Sequence, residues 1–208
     1  MVRRVTFTVS LILLFSLPNL NATVPNPWRI LSRPTTRDLT KLFFLDSLTG
    51  FVAGRQGTIV KTTDGGITWL PQTPNINTDI INVFMLNGRY GWALSYVSFV
   101  DTTAWYGAIF LKTTNGGETW LNEQFPVKEI YLNSVRFLDS LHGWVGGQSG
   151  ALLETSDGGT SWQPAVVDSS FFANLKISRI RFYSPSYGFA VGGLLDLSGV
   201  VWRTTNGG

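Results

Sequence analysis

The stretch Thr62-Thr63-Asp64-Gly65-Gly66-Ile67-Thr68-Trp69 recurs along this chain of 208 residues. It returns as TTNGGETW at residues 113–120 and as TSDGGTSW at residues 155–162, and a shorter copy, TTNGG, occupies residues 204–208. An eight-residue pattern that occurs three times, and in part a fourth time, is not a coincidence in a chain of this length. It indicates a fold made of repeated structural units.

The chemistry of this eight-residue motif, called the box below, is typical of a rigid turn. A short Asp or Asn side chain accepts hydrogen bonds from nearby backbone N–H groups, and the two glycines permit positive φ without a Cβ clash. The Trp at the end begins the next strand and can bury about 200 Å² in the core. We therefore assign a structural role to the box residues Asp64, Gly65, Gly66, Trp69, Asn115, Gly116, Gly117, Trp120, Asp157, Gly158, Gly159, Trp162, Asn206, Gly207 and Gly208.

A second repeated signature precedes each box. FLDSLTGF at residues 44–51 matches FLDSLHGW at residues 137–144, and Tyr90-Gly91-Trp92 and Tyr187-Gly188-Phe189 are shorter versions of it. The order of apolar segments and turns gives four short strands per unit, with the box between the third and the fourth. Successive boxes are 51, 42 and 49 residues apart, near the period of propeller blades. The predicted fold is an all-β β-propeller of four-stranded antiparallel blades.

The repeats predict one propeller domain over residues 23–208. The fourth box lacks the Thr-Trp or Ser-Trp pair that ends the other three, so the propeller is expected to be C-terminally truncated from a larger ring. The four blade units are expected at about residues 38–77, 78–128, 129–173 and 174–208.

The segment before the first unit contains a tryptophan at the repeat position of a box tryptophan. Trp28 precedes Gly50 by 22 residues, as Trp69 precedes Gly91. Residues 26–34 are therefore expected to form an outer strand that belongs to the last blade. Such a strand closes the ring and removes exposed sheet edges.

The N-terminus has the pattern of a signal peptide over residues 1–22. Arg3 and Arg4 precede an apolar stretch from about Val5 to Leu17, and the small Ala22 stands at a cleavage position. The apolar stretch is shorter than the roughly 20 residues that a membrane span needs. The mature chain is expected to be exported, by the general or the twin-arginine route, to the periplasm, a thylakoid lumen or the extracellular space. It is expected to contain no transmembrane span.

Composition excludes several classes of partner and site. The chain has 16 Lys and Arg against 13 Asp and Glu, and two of the basic residues lie in the leader, so the mature chain is nearly neutral and has no case for nucleic-acid binding. With no cysteine and one histidine, His142, neither a metal site, a cofactor nor a nucleophilic triad is expected. The 22 glycines, eight tryptophans and 14% charged residues favour short strands over long helices.

The full pattern of a unit resembles that of the photosystem II stability and assembly factor family of Asp-box, or BNR-type, β-propellers. The residues that carry it in the first unit are Trp28, Phe44, Asp46, Gly50, Phe51, Gly54, Gly57, Ile59, Thr62 and Asp64 to Trp69. The resemblance covers about Pro27 to Gly208. It implies an exported, non-enzymatic propeller that binds a photosystem II reaction-centre protein during assembly. Asn115 and Asn206 in two boxes, Phe51 and Phe189 in place of Trp, and the insertion around Asp101 to Gly107 depart from the family's pattern.

The alternative function is a carbohydrate-binding or glycoside-hydrolysing propeller, since sialidases and xyloglucan-degrading enzymes also contain such boxes. Asp46 and Asp139 are the residues that such an enzyme could use as a carboxylate pair. They stand in the same turn of two units, however, where Asn87 and Ser184 stand in the others. Turn capping is therefore the preferred interpretation, and no residue is assigned a catalytic role.

Four residues are candidates for contact with a protein partner. Arg136 and Arg181 share one position on the predicted innermost strands of adjacent units, and the resemblance implies an arginine-rich binding patch. Trp105 and Tyr106 lie in an insertion on the face opposite the boxes, where variable loops build binding sites. Two alternatives to partner binding stay open. The guanidinium groups of Arg136 and Arg181 satisfy local carbonyls or carboxylates, and Trp105 and Tyr106 pack over the blade edge. The preferred function is a non-catalytic exported propeller that binds a protein, such as a subunit of a membrane complex, as an assembly scaffold.

Overall fold

The computed structural model describes residues 30–31, 33–98, 106–167, 174–194 and 197–208. The strands in these ranges are β1 (Leu39–Phe44), β2 (Gly50–Gly54), β3 (Ile59–Thr62), β4 (Leu70–Pro71), β5 (Ile80–Met85), β6 (Gly91–Val97), β7 (Gly107–Thr113), β8 (Leu121–Gln124), β9 (Leu132–Phe137), β10 (Gly143–Gly147), β11 (Leu152–Thr155), β12 (Gln163–Pro164), β13 (Ile177–Phe182), β14 (Gly188–Leu194) and β15 (Ser198–Thr204). A short 3₁₀ turn occupies Gln148–Gly150. In the described part of the chain, no helix is long and apolar enough to cross a membrane.

The strands form four antiparallel sheets that follow one another along the chain. The first sheet has the order β1-β2-β3-β4, the second β5-β6-β7-β8 and the third β9-β10-β11-β12. The fourth sheet contains β13-β14-β15 in the described ranges. Consecutive strands are neighbours, and every box follows the third strand of its sheet. The all-β fold of antiparallel four-stranded blades, predicted from the repeats, is confirmed.

The glycine of the second signature is required where the first two strands of a sheet meet. Gly143 begins β10 opposite Phe137, the last residue of β9. A Cβ at Gly143 would lie 2.5 Å from the Phe137 ring, and a Cβ at Gly188 would lie 2.7 Å from the Phe182 ring. The aromatic ring therefore lies directly over the glycine. This contact explains why the spacing of six residues between the aromatic residue and the glycine recurs in the sequence.

Each box is a turn held by its own side chains. In the first box, Asp64 Oδ1 accepts a hydrogen bond from the Thr68 N–H at 2.9 Å. The Thr62 hydroxyl donates to Asp64 Oδ1 at 2.8 Å and accepts from the Gly66 N–H at 2.9 Å. Gly66 has a φ of 89°, which strains any residue with a Cβ. The indole Nε1 of Trp69 donates to the Gly66 carbonyl at 3.0 Å, which fixes the direction in which the fourth strand begins.

The second and third boxes repeat this geometry with different side chains. Asn115 Oδ1 accepts from the Thr119 N–H at 3.0 Å, and Asp157 Oδ1 accepts from the Ser161 N–H at 2.9 Å. The turn needs one short acceptor and not a negative charge, because an amide oxygen accepts the same hydrogen bond.

The hydrophobic core lies between neighbouring sheets. Trp162 of the third box contacts Phe110 and Phe125 of the second unit, with ring centroids 5.3 Å apart in each pair. It also contacts Phe137 of its own sheet at 6.2 Å. Trp92 of the second sheet stacks on Phe137 with a centroid distance of 3.6 Å. The box tryptophan therefore fills the gap between its own sheet and the preceding one.

Lysines on the third strands connect the first two sheets to the box of the next unit. Lys61 Nζ donates to the Gly116 carbonyl at 2.8 Å, and Lys112 Nζ donates to the Gly158 carbonyl at 3.0 Å. The same register position in the third sheet is occupied by Glu154. An ionised Glu has no proton to donate, so this connection is absent between the third and fourth sheets.

The predicted signal peptide and most of the predicted ring-closing strand lie outside the described residues. The structure describes neither residues 1–29 nor residue 32. The remaining residues of the segment, Ile30, Leu31, Arg33 and Pro34, belong to no strand. The signal peptide and the outer strand therefore stay predictions.

We expect Gly65→Val and Gly158→Val each to lower the free energy of unfolding by about 1–3 kcal/mol. The reason is backbone strain, because the two glycines have φ values of 73° and 76°. A Cβ at Gly158 would also lie 2.8 Å from the Ser140 carbonyl oxygen. Thermal and urea unfolding measure the effect. Gly88→Ala is the control, since nothing lies within 4 Å of a Cβ at that position; unchanged stability in both Val variants would contradict the turn argument.

Candidate functional site

A groove crosses the end of the sheets that lies opposite the box turns. It has a volume of about 660 Å³ and is lined by residues of all four units. The lining includes the first residues of innermost strands and the connections that follow second strands, whereas the boxes follow third strands at the other end. A concave surface of this size is typical of ligand and peptide sites. Its charged and aromatic residues are Lys41, Arg55, Asp79, Tyr96, Tyr131 and Lys176.

Three tyrosines lie together beside this groove. Tyr96 and Tyr131 line it and contact each other edge to face, with centroids 5.7 Å apart, and Tyr106 stacks on Tyr131 at 6.5 Å. Desolvation, followed by contact with Glu129, raises the pKa of Tyr106. Tyr106 thus packs against the neighbouring unit, which favours packing over the blade edge over contact with a partner. Trp105 lies outside the described residues. The sequence did not point to Tyr96 and Tyr131, whose only signal was their place at the ends of predicted strands.

The two candidate arginines lie close together, and a third arginine joins them. The guanidinium carbon of Arg136 lies 4.8 Å from the centroid of the Phe84 ring, and its Nη1 donates to the Val135 carbonyl at 3.1 Å. Burial, together with the positive charges of Arg179 and Arg181, lowers the pKa of Arg136. Arg136 therefore makes local contacts in addition to its place in the cluster. Arg179 was missed by the sequence reasoning, although its position two residues before Arg181 on β13 puts both on one face.

Lys176, Arg179 and Arg181 form an exposed basic strip that continues from the groove. Lys176 lines the groove, and Arg179 and Arg181 follow it on β13. All three residues are exposed, and within the described ranges none of them forms an ion pair with a carboxylate. Clustered cations without acidic partners attract carboxylates, and guanidinium groups bind them with two parallel hydrogen bonds. The basic strip is therefore suited to an acidic ligand.

Asp46 and Asp139, the candidate carboxylates of the enzymatic alternative, accept hydrogen bonds within their own turns. Asp46 Oδ1 accepts from the N–H groups of Leu48 and Thr49 at 2.8 and 2.7 Å. These bonds, that of Thr49 first, lower the pKa of Asp46. Asp139 accepts the equivalent pair of N–H groups, and its Oδ2 lies 2.9 Å from His142 Nδ1. The predicted turn-capping role of both carboxylates is confirmed.

No metal centre is apparent in the part of the chain that the structure describes. Within it, no group of three or more His, Asp and Glu side chains is placed to hold a metal ion. The carboxylate of Asp157 accepts hydrogen bonds within its own box. Hydrogen bonds from the Ser161 hydroxyl and N–H lower the pKa of Asp157.

The sequence matches the profile of a known protein family. This family is described as photosynthesis system II assembly factor YCF48, and its profile matches residues 20–128 and again residues 120–208. The chain belongs to this family. The resemblance inferred from the boxes and the glycine signature is thereby confirmed.

Curated relatives of the YCF48 family are similar to this chain over part of their length. The chain is 27% identical over 154 residues to the photosystem II assembly lipoprotein Ycf48 of Synechococcus sp. (strain CC9902), which covers 70% of this chain and 42% of that protein. It is 26% identical over 129 residues to the chloroplastic photosystem II stability/assembly factor HCF136 of Arabidopsis thaliana, which covers 58% and 29%. The chain thus spans less than half the length of these two relatives.

Solved structures share the propeller fold. The structure of YCF48 bound to D1 peptide aligns with a TM-score of 0.64 and 23% identity over 85% of this chain and 55% of that chain. An ancestral GH74 enzyme aligns with a TM-score of 0.59 and 15% identity over 87% of this chain and 24% of that chain. At these identities both likenesses establish the fold alone, and family membership rests on the sequence profile.

The box carboxylate Asp64 is expected to make the stability depend on pH. Hydrogen bonds from the Thr68 hydroxyl and N–H lower the pKa of Asp64 from 3.8 to about 2. Folding therefore favours its ionised form, so its contribution is complete above the unfolded pKa and is lost as the pH falls through the folded pKa. We expect Asp64→Asn to flatten the decrease in melting temperature between about pH 4 and pH 2.

Thermal unfolding at a series of pH values measures this effect. Asn115 in the second box shows that the turn accommodates an amide. Glu118→Gln, at an exposed carboxyl of the second box, is the control and should leave the pH profile as it is. An Asp64→Asn variant that retains the full slope of the unmodified protein would show that this carboxylate is not the source.

Proposed function

We propose that this protein is a non-catalytic, exported propeller that binds a protein segment and acts as a photosystem II assembly factor. Membership of the YCF48 family supports this function. A related propeller has been solved with a D1 peptide, which supports a peptide of that kind as the ligand. The names of the relatives, a lipoprotein and a chloroplast protein, support export to the periplasm or the thylakoid lumen.

The observation that carries the proposal is the basic strip beside the groove. An extended segment that lies in the groove would bring its carboxylates to Arg179 and Arg181, which have no acidic partner among the described residues. Complementary charge of this type gives orientation and fast association more than raw affinity. Arg136 packs against Phe84, and its guanidinium group lies close to Arg179 and Arg181 of the basic strip. This arrangement gives the candidates Arg136 and Arg181 one common role.

The tyrosines would supply the apolar part of the contact. Tyr96 and Tyr131 are rigid, half-buried side chains that line the groove, and Tyr106 supports Tyr131 from the side. Aromatic side chains of this kind are frequent at the centre of protein interfaces. Trp105, next to Tyr106 in the sequence and outside the described residues, stays a candidate for this contact.

The carbohydrate-active alternative has weaker support. Asp46 and Asp139, its best catalytic candidates, accept turn hydrogen bonds and have lowered pKa values, which makes them poor general acids. For Asp139 the hydrogen bonds outweigh a burial effect that raises the pKa. The similarity to the GH74 enzyme is one of fold, and fold alone does not select a function.

The experiment is a titration of the D1 peptide with the protein and its variants. We expect Arg179→Gln combined with Arg181→Gln to weaken binding about tenfold and to reduce its salt dependence, because two exposed ion pairs are lost. Arg37→Gln combined with Lys128→Gln removes the same charge from exposed positions outside the groove and is the control. Fluorescence anisotropy of a labelled peptide at two salt concentrations gives both quantities.

Equal binding by the two double variants would exclude the basic strip as the peptide site. Absence of binding to the unmodified protein, with binding of a xyloglucan oligosaccharide instead, would favour the carbohydrate alternative. Melting temperatures should stay close to that of the unmodified protein in both variants, because all four side chains are exposed.

A further inference from the structure

The dipeptide Asn-Gly occurs three times in the chain, at Asn87-Gly88, Asn115-Gly116 and Asn206-Gly207. A glycine after an asparagine leaves the side-chain amide open to attack by the glycine's backbone nitrogen, because no Cβ shields that nitrogen. The second and third pairs are parts of boxes, whereas Asn87-Gly88 lies in the turn between β5 and β6. The three pairs therefore share one chemistry and differ in their surroundings.

The backbone nitrogen of Gly88 is available for this attack. Asn87 and Gly88 are exposed, and the Gly88 N–H donates a hydrogen bond to no residue that the structure describes. A Cβ at Gly88 would have no atom within 4 Å, so the space around this part of the turn is open. The turn belongs to the second sheet, which packs between the first and the third.

The turn also activates the side-chain amide of Asn87. Its Oδ1 accepts hydrogen bonds from the N–H groups of Arg89 and Tyr90, both at 2.9 Å. Attack at the amide carbon places negative charge on this oxygen, and two N–H groups that already point at it stabilise that charge in the manner of an oxyanion hole. The amide nitrogen of Asn87, which has to leave as ammonia, forms no hydrogen bond with the described residues.

The box asparagine Asn115 has the opposite arrangement. The N–H of Gly116 donates to the Arg89 carbonyl at 2.8 Å. The side-chain Nδ2 of Asn115 donates to the Thr119 hydroxyl at 2.9 Å. The nucleophile and the leaving group are therefore both held by hydrogen bonds, and Gly116 is buried.

We propose that Asn87 is a site of spontaneous deamidation, a covalent modification whose only co-reactant is water. The Gly88 nitrogen bonds to Cγ of Asn87, the proton of that nitrogen passes to the departing amino group, and ammonia leaves as the Cγ–Nδ2 bond breaks. Water then opens the cyclic imide at either of its carbonyl carbons, which gives aspartate or isoaspartate. One water is taken up, one ammonia is released, and nothing is oxidised or reduced. The site does not depend on the function proposed for the groove.

The two products differ in how they fit the turn. Asp46 and Asp139 stand at the equivalent position of the first and third units, and each accepts two N–H groups as Asn87 does. Isoaspartate instead adds a methylene to the backbone and displaces Arg89, whose carbonyl holds the second box. We therefore expect Asn87→Asp to keep the melting temperature of the unmodified protein and the isoaspartyl form to melt at a lower temperature.

The test is incubation of the 208-residue protein at mildly alkaline pH, followed by peptide mapping with mass spectrometry. In the folded protein we expect Asn87 to deamidate about tenfold faster than Asn115, because reaction at Asn115 must first break two hydrogen bonds. In concentrated urea the two rates should become nearly equal, since the surroundings of both pairs are then lost. Isoaspartate among the products shows that the reaction passed through the imide.

Gly88→Ala is the matched variant. It adds a Cβ beside the attacking nitrogen without a contact in the fold, so it should slow the reaction at Asn87 and leave the rate at Asn115 unchanged. An unchanged rate at Asn87 in this variant would show that the Gly88 nitrogen is not the nucleophile. Two further results would overturn the proposal: Asn87 that stays intact in the folded protein while it reacts in urea, or equal rates at Asn87 and Asn115 in the folded protein.

Discussion

The hydrogen bond from a backbone N–H to the Asp or Asn four residues earlier is the interaction on which the other features of this structure depend. The acceptor is itself held by the hydroxyl of the Thr two residues before it, as Thr62 holds Asp64. The glycines between them have a positive φ, so the chain reverses within a few residues. The direction of the fourth strand and the position of the tryptophan are fixed by this small closed network.

The contacts between sheets follow from the position of the tryptophan. Trp162 lies between two sheets because its box turn directs the indole toward the preceding unit, where Phe110 and Phe125 receive it. The backbone carbonyl groups of the boxes also serve as acceptors for Lys61 and Lys112. At the end of the sheets that carries the boxes, the same type of turn is therefore repeated from unit to unit. Variation in length and chemistry is left to the opposite end, where the groove lies.

The third and fourth sheets differ from the others in their electrostatics. Glu154 has the register position in the third sheet that the connecting lysines have in the first two. Arg136 and Arg181 have the register position in the third and fourth sheets that Phe43 and Phe84, which pack on each other, have in the first two. The apolar contact between innermost strands is replaced by clustered cations. Clustered cations attract an acidic group, which is the physical reason for placing a ligand at this part of the molecule.

The sequence by itself determined the repeat, the box turn, the order of four strands and the capping roles of Asp46 and Asp139. These features depend on hydrogen bonds between residues two to four positions apart and on conformations that only glycine adopts readily, so the local sequence is sufficient. Only the tertiary structure brought Arg179 to the two predicted arginines and stacked Tyr106 on Tyr131. Each of these depends on how separate sheets pack against one another, and residues that meet across that contact are about 25 to 50 positions apart, beyond the reach of any local pattern.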